Sequence, residues 1–318
     1  MRIVDLHCDT LLNCFENDAR LAENDGHIDL AKLKKGGSMV QFFAAFIPFE
    51  GMTKGETHYG RYELFQEMYG IFRRELETNR DAIAEARCLA DIEANAAGGK
   101  ISAVLTVEDG ALIEGDMERL YELHDKGVRL ITLTWNYENC LGYPNSPDAC
   151  EHMKGLKPFG IEVLGEMERL GIIADVSHLS EGGFWDVAKH GRKPFVASHS
   201  CARALCGHQR NLTDEQLRCV ADHGGVVGVN FYSEFLRDGC PHSSVDDIML
   251  HVDHMLNVMG EESVALGSDF DGIDCTLDME DFSRFGLLTE RLETKYGCRI
   301  AEKICSRNAL RVIGECIG

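Results

Sequence analysis

The chain has 318 residues, with 32 Lys and Arg against 53 Asp and Glu, which gives a formal net charge of −21. Nucleic acids and anionic membranes are bound by basic surfaces, so this acidic balance argues against both kinds of partner. Hydrophobic residues make up 44% of the chain and charged residues 27%, a composition typical of a folded globular protein rather than a disordered one.

Eight short runs of apolar and β-branched residues recur along the chain and predict strands. These runs are residues 3–7, 39–47, 101–108, 129–135, 172–178, 194–200, 225–232 and 264–270. Their hydrophobicity is nearly continuous rather than alternating, which is typical of strands that are covered on both faces.

Segments with the apolar spacing of helices separate these runs. They are residues 61–76, 117–127, 160–171, 213–224, 246–260 and 282–297. Thr213 and Gln216 have the spacing of a capping box at a helix start. Repeated β-α alternation, with no Gly-rich phosphate turn after any run, favours a single (β/α)8 TIM barrel over residues 1–318. An open α/β sheet is the alternative, and residues 48–57 are expected to form a surface loop.

The first residues, MRIVDLHCDT, contain one Arg and no long apolar run, so they predict neither a signal peptide nor a spanning helix. The chain has 13 cysteines, an odd number, and no C-x-x-C pair. Without a secretion signal, this pattern favours reduced thiols. A cytoplasmic location is therefore expected.

Polar residues lie where five of the eight runs end. They are His7, Asp9, Glu108, His178, His199 and Asp269. The carboxyl ends of the strands in a TIM barrel meet at one face, so these side chains are expected to share one pocket. Each histidine taken alone is more simply a hydrogen-bonded core residue. Because unpartnered buried charge is costly, the joint pattern is better explained by a metal site.

Three histidines and two or three carboxylates exceed the ligands that one tetrahedral zinc ion uses, so two metal ions are expected. His7 and Asp9 are two residues apart, which places both side chains on the same side of an extended chain. Nitrogen and oxygen ligands without thiolates favour Zn²⁺, with Mn²⁺, Co²⁺ or Fe²⁺ as alternatives. Glu108 can bridge both ions with its two oxygens, which suits hydrolysis by a shared hydroxide.

Five ordered motifs carry a resemblance that runs from residue 5 to residue 272. They are DLHCDT, TVEDG, DVSHLS, ASHS with the downstream HQRNLTDEQL, and GSDFDG. Together they resemble the membrane (renal) dipeptidase family, which are metallopeptidases of the amidohydrolase superfamily with a barrel fold. The resemblance implies hydrolysis of dipeptides, including those with a D-residue at the C-terminal position, by a hydroxide that bridges two Zn²⁺ ions per chain. It also suggests a homodimer.

The resemblance implies roles for individual residues of this sequence. The implied metal ligands are His7 and Asp9 on the first ion, Glu108 between the ions, and His178 and His199 on the second. Asp269 matches the family's proton-transfer carboxylate, and Arg210 matches the arginine that pairs with the C-terminal carboxylate of the substrate. Tyr232, at the end of the seventh run, is expected either to line the pocket or to serve packing alone.

The sequence departs from the family pattern at Trp135, where the mammalian enzyme carries a histidine that is thought to stabilise the tetrahedral intermediate. The departure implies different contacts to the transition state and a different substrate preference. The mammalian relatives also carry a secretion signal and a lipid anchor, whereas this chain ends in RVIGECIG, so no membrane anchor is expected.

Several other polar residues have simpler structural explanations. His251 and His254 lie three residues apart on a predicted outer helix and are expected at the surface. Asp271 and Asp274 are expected to form local turns or helix caps. His152, in the loop after the fourth run, is a candidate replacement for the histidine that Trp135 displaces.

Two other functions fit the same ligand set. One is a different amidohydrolase reaction, such as deacylation of an N-acyl amino acid or opening of a lactone. The other is a barrel that binds metal or peptide without turnover.

Overall fold

The computed structural model describes residues 1–318, and its centre is a closed ring of eight parallel strands. The strands are β1 (Ile3–Asp5), β2 (Ser38–Phe46), β3 (Ile101–Glu108), β4 (Val128–Thr132), β5 (Ile173–Asp175), β6 (Val196–Ser200), β7 (Val226–Val229) and β8 (Val264–Leu266). Neighbours in the ring follow chain order, and β1 closes it by pairing with β8 between Asp5 and Leu266. The predicted (β/α)8 barrel is therefore confirmed, and the open sheet is wrong.

Each predicted run overlaps one barrel strand, but four runs extend three or four residues past the strand's carboxyl end. Residues after Asp175 and Leu266 leave the sheet, and these are the residues that carry site groups. A ninth strand, Ile83–Glu85, was not predicted and pairs with the first half of β3 outside the ring. The expected surface loop contains part of a small hairpin, Met52–Lys54 with Thr57–Tyr59.

Helices surround the ring and connect its strands. They are α1 (Thr10–Asn17), α2 (Leu30–Gly36), α3 (Arg61–Thr78), α4 (Leu89–Ala97), α5 (Met117–Asp125), α6 (Ala149–His152), α7 (Pro158–Leu170), α8 (Glu181–His190), α9 (Asp214–Asp222), α10 (Ser233–Leu236), α11 (Val245–Met259), α12 (Phe285–Glu302) and α13 (Asn308–Ile317). All six predicted helical segments are present, and Thr213 and Gln216 form the predicted capping box. None of the helices is both long and apolar enough to cross a membrane.

Helix α8 shows why some helices escaped prediction. Its first turn contains Gly182 and Gly183, which are weak helix formers. A side chain at Gly182 would meet the carbonyl oxygen of Met153 at 2.3 Å, so close packing requires glycine there. The hydroxyl of Ser180 accepts a hydrogen bond from the Gly183 N–H and begins the helix.

Apolar side chains form two separate clusters that place the polar site at one end of the barrel. The smaller cluster takes at least one side chain from each barrel strand, together with residues of α13. Because α13 contacts β5, β7 and β8, it covers the amino-terminal end of the ring. The larger cluster includes residues of the surrounding helices. The carboxyl-terminal end of the ring is left as the mouth in which polar residues collect.

Candidate metal centre

The polar side chains predicted at the strand ends meet at this mouth. Asp9, Glu108 and the three histidines are between 1% and 9% exposed. Three groups of the predicted side chains have ligand atoms close enough to hold a cation, and two of these groups share Glu108. The two are His7 with Asp9 and Glu108, and His178 with His199 and Glu108; the third is His7 with His199 and Asp269.

The carboxylate of Glu108 lies at the centre of the cluster, with its two oxygens facing different histidines. Oε2 is 3.2 Å from Nε2 of His7. Oε1 is 3.0 Å from Nε2 of His178 and 3.6 Å from Nε2 of His199. A carboxylate placed in this way could contribute one oxygen to each of two neighbouring cation sites.

Unpaired buried atoms show that the first group fits a cation. Nε2 of His7 is 3.3 Å from Oδ2 of Asp9, yet this nitrogen makes no hydrogen bond. Oδ1 of Asp9 is also buried without a partner. Such atoms are costly to bury unless another ligand satisfies them, and an imidazole nitrogen beside carboxylate oxygens is a set that Zn²⁺ accepts.

A hydroxyl and a carboxylate on neighbouring strands orient the ring of His199. Oγ of Ser198 is 2.7 Å from Nδ1 of His199 and donates its own proton to Oδ2 of Asp175 at 2.5 Å. Nδ1 therefore carries the imidazole proton, and Nε2 faces the cluster with its lone pair, 3.1 Å from Nε2 of His178 and 3.6 Å from Oε1 of Glu108. A partner that fixes the tautomer in this way is common behind metal-binding histidines.

His178 is held by partners from the loop after β4. Its Nδ1 lies 3.1 Å from Oδ1 of Asn136, which leaves Nε2 free to face Glu108. The backbone of His178 is left-handed, with φ of +66°, a conformation that is uncommon for a residue with a side chain. Asn145 supports it by donating its backbone N–H to the carbonyl of His178 at 2.7 Å.

Asp269 lies beside the first group and is also left-handed, with φ of +63°. Asn230 donates to its Oδ2 at 2.8 Å, and its Oδ1 is 3.8 Å from Nε2 of His7. Burial raises the pKa of Asp269 to about 7, with His7 opposing the shift and the charges of Asp9 and Glu108 adding to it. The carboxylate can therefore exchange a proton near neutral pH.

The pKa values of the cluster place positive charge near His7. Burial lowers the pKa of His178 to about 4 and that of His199 well below its usual value, so both rings are neutral ligands at pH 7. Burial also disfavours a charged His7, but Glu108 and Asp9 raise the pKa of His7 well above its usual value. The two carboxylates thus attract a cation to this position.

A cavity of about 360 Å³ opens onto the cluster. Its lining includes Asp9, Glu108, His178 and Asp269 from the cluster, with Leu12, Phe46, Trp135, Tyr232, Phe235, Gly272, Ile273 and Asp274 around them. Trp135 and Tyr232 therefore lie where a substrate would contact them. A volume of this size suits a small molecule.

The sequence matches the membrane dipeptidase family, peptidase family M19, over residues 1–316. The chain belongs to this family. An uncharacterized dipeptidase of Schizosaccharomyces pombe is 34% identical, over 96% of this chain and 76% of the relative. A Klebsiella pneumoniae protein, described as uncharacterized in the pqqA 5′ region, is 40% identical over 70% of this chain and 85% of its own length.

Solved structures of family M19 share the fold along the whole chain. Dipeptidase AC, a metallopeptidase, is 30% identical with a TM-score of 0.90, and the match covers 100% of this chain and 99% of that one. A metallopeptidase from Rhodobacter sphaeroides, bound to a phosphinate mimic of L-Ala-D-Ala, is 28% identical with a TM-score of 0.89 and covers 99% of both chains. This chain is a metallo-dipeptidase of the same family.

Arg210 lies next to the cluster but is not among the residues that line the cavity. Its guanidinium donates to the carbonyl of His199 at 3.1 Å and to the hydroxyl of Ser200 at 3.3 Å, and its Nε has no partner. It packs over the ring of Phe235, which does line the cavity, at 5.2 Å. These bonds use two of the five N–H groups of a guanidinium that is only 5% exposed, so donors remain for an anionic partner.

The remaining histidines lie outside the candidate metal groups. His251 is 1% exposed, so its expected surface position is wrong: Nδ1 accepts from the N–H of Ala202 and Nε2 lies 2.9 Å from the carbonyl of Leu236. The helix carrying it packs against the loops after β6 and β7, which sequence periodicity does not reveal. His254 pairs with Asp214 at 2.6 Å.

The structure also tests the roles expected for three further residues, His152, Asp271 and Asp274. His152 contacts Glu181 at 3.5 Å and does not join the metal groups. Asp271 accepts from Thr10 and from the N–H of His27, both at 2.6 Å, and so ties distant loops together rather than forming only a local turn. Asp274 lines the cavity.

Proposed function

We propose that this chain hydrolyses dipeptides at a pair of Zn²⁺ ions held by the two ligand groups that share Glu108. The proposal is supported chiefly by the two oxygens of Glu108, which face His7 on one side and His178 on the other. Imidazole and carboxylate donors without thiolates favour zinc over softer or purely oxygen-bound metals.

Asp269 moves the proton in the proposed reaction. Bound divalent cations supply Lewis acidity, which polarises a peptide carbonyl and lowers the pKa of water. Asp269 accepts the proton of the attacking water and delivers it to the leaving amine, a task that suits a carboxylate whose free oxygen lies 3.8 Å from Nε2 of His7. Asn230 donates a hydrogen bond to Oδ2 of Asp269, and the other carboxylate oxygen, Oδ1, faces His7.

Arg210 binds the C-terminal carboxylate of the substrate. Its two Nη contacts hold the guanidinium plane, and its remaining N–H groups provide charge-assisted hydrogen bonds. The Rhodobacter sphaeroides relative binds a mimic of a dipeptide whose second residue has the D configuration. We infer that this chain accepts a D-residue at the same position, with Trp135 and Tyr232 contacting the substrate.

Three further expectations stay predictions. They are a single catalytic domain over residues 1–318, a homodimer and a cytoplasmic location.

The test combines metal analysis with a substrate panel. Protein stripped of metal and reloaded with zinc is expected to hold two ions per chain and to release amino acids from L-Ala-L-Ala and L-Ala-D-Ala. N-Acetyl-alanine and a simple lactone serve as controls. Preferential turnover of either control would favour another amidohydrolase reaction, and full zinc content without any turnover would favour a binding barrel.

A further inference from the structure

Two pairs of aromatic rings form opposite walls of the cavity. Phe46 and Trp135 meet edge to face, with ring centroids 4.8 Å apart and planes at 75°. Tyr232 and Phe235 form a second edge-to-face pair at 5.1 Å and 87°. Because β3 and β7 are four strands apart in a ring of eight, residues that end β2 or follow β4 face residues that follow β7 across the mouth.

The proposed carboxylate-binding group lies behind only one of these walls. The cavity lining itself contains no Lys or Arg, and Arg210 packs over Phe235 from behind the lining. A dipeptide whose C-terminal carboxylate reaches Arg210, and whose peptide bond lies at Glu108 and Asp269, extends its first residue toward the opposite wall.

We infer that Phe46 and Trp135, called here the β2–β4 wall, bind the side chain of the first residue and select a large apolar one. This inference rests on the proposed dipeptidase function. The only charged lining residue outside the metal cluster is Asp274, which follows β8 and so lies away from this wall. A charged side chain would therefore find no partner at the wall, whereas an apolar one would bury surface against two rings.

The β2–β4 wall is also held in place before substrate arrives. Trp135 contacts Tyr137 at 5.9 Å and His178 at 6.2 Å between ring centroids, and Tyr137 stacks on Phe49 at 5.3 Å. A ring that is fixed from several sides loses little freedom when a ligand binds, so more of the burial energy appears as affinity.

The test compares two dipeptide series with the zinc-loaded protein. In the first series the second residue is alanine and the first is glycine, leucine or phenylalanine. We expect kcat/KM for the leucine and phenylalanine substrates to exceed that for Gly-Ala by about tenfold or more, chiefly through KM. Trp135→Ala should reduce this ratio about tenfold, and Trp135→Phe should restore part of it.

The control variant distinguishes loss of a contact at the β2–β4 wall from the general effect of replacing a tryptophan. Trp185, the other tryptophan, lies on α8 against Phe184 and outside the cavity, so Trp185→Phe should leave the ratio unchanged. Trp185→Phe also leaves Trp135 as the sole tryptophan, whose fluorescence should change on adding phenylalanine more than on adding glycine.

Each contrary outcome has a distinct meaning. Equal or better hydrolysis of Gly-Ala by the wild type, or an unchanged ratio in Trp135→Ala, would overturn the inference. In the second series the first residue is alanine and the second is glycine, leucine or phenylalanine. If Trp135→Ala changes the preference among these substrates, the wall binds the second residue and the inference is wrong. If Trp135→Ala fails to fold, the wild-type series and Trp135→Phe decide the question. Failure to cleave any dipeptide would reject the proposed function itself.

Discussion

Replacing Ser198 by alanine should weaken metal binding without touching any ligand. The Ser198 hydroxyl is the only hydrogen-bond partner of Nδ1 of His199, and it links the ring to Asp175. The variant leaves this buried N–H without an acceptor, while Asp175 keeps its bond from Thr132 at 2.7 Å. The expected defect is therefore confined to the orientation and basicity of one imidazole.

The magnitude follows from the burial of the pair. An unsatisfied buried donor costs about 1–3 kcal/mol. Each tenfold change in affinity corresponds to about 1.4 kcal/mol. The cost therefore agrees with the loss of about 10–100-fold in metal affinity that is typical when the hydrogen-bond partner of a metal-binding histidine is removed. Ser198 is fully buried, so the upper part of the range is the more relevant.

Zinc affinity is measured by competition with a chromophoric chelator. Ser177→Ala is the matched control, because Ser177 is similarly buried, but its hydroxyl accepts from the backbone N–H of His199 at 3.2 Å and reaches the ring only through the Ser198 hydroxyl, 3.4 Å away. Its affinity should fall much less. A Ser198→Ala protein that keeps wild-type zinc affinity, or an equal loss in Ser177→Ala, would refute this account of His199.

Glu108→Ala should remove both ions at once, because both ligand groups share this residue; metal analysis that finds one tightly held ion would contradict the bridging role. Asp269→Asn should keep the metal content and lower kcat by about 10² or more, and unchanged turnover would argue against proton transfer by Asp269. Arg210→Ala should raise KM for dipeptides far more than for dipeptide amides, whereas equal effects would remove its role in binding the carboxylate. Gly272→Ala should displace Asp9, since the added Cβ would lie 2.1 Å from Oδ2; a zinc content like that of the wild type would show that the loop adjusts.

The barrel and its metal ligands were predictable because two simple signals coincide. Apolar runs mark strands covered on both faces, and a polar residue at the end of such a run has few structural reasons to be there. Glu108 is the last residue of its strand and His199 the last but one, and both are almost fully buried in strands of otherwise apolar or small residues.

The residues that orient the ligands were not predictable, because their partners are distant in sequence. Asn136 acts on His178 across 42 residues, and Asn230 acts on Asp269 across 39 residues. The left-handed backbone of His178 and Asp269 leaves no trace in composition, because a glycine, the usual residue for this conformation, is absent at both positions. The buried position of His251 likewise depends on loops packed over its helix.

The distribution of the ligands around the ring has a consequence for heat tolerance. His7 follows the first strand and His178 the fifth, which stand on opposite sides of the ring, and Glu108 contacts both histidines. Cations held there would crosslink the barrel mouth and favour the folded state by mass action, by about 2.7 kcal/mol at a hundredfold excess over Kd. Chelators will therefore lower the melting temperature as well as the activity, so the melting temperature can be used to follow how much metal is bound.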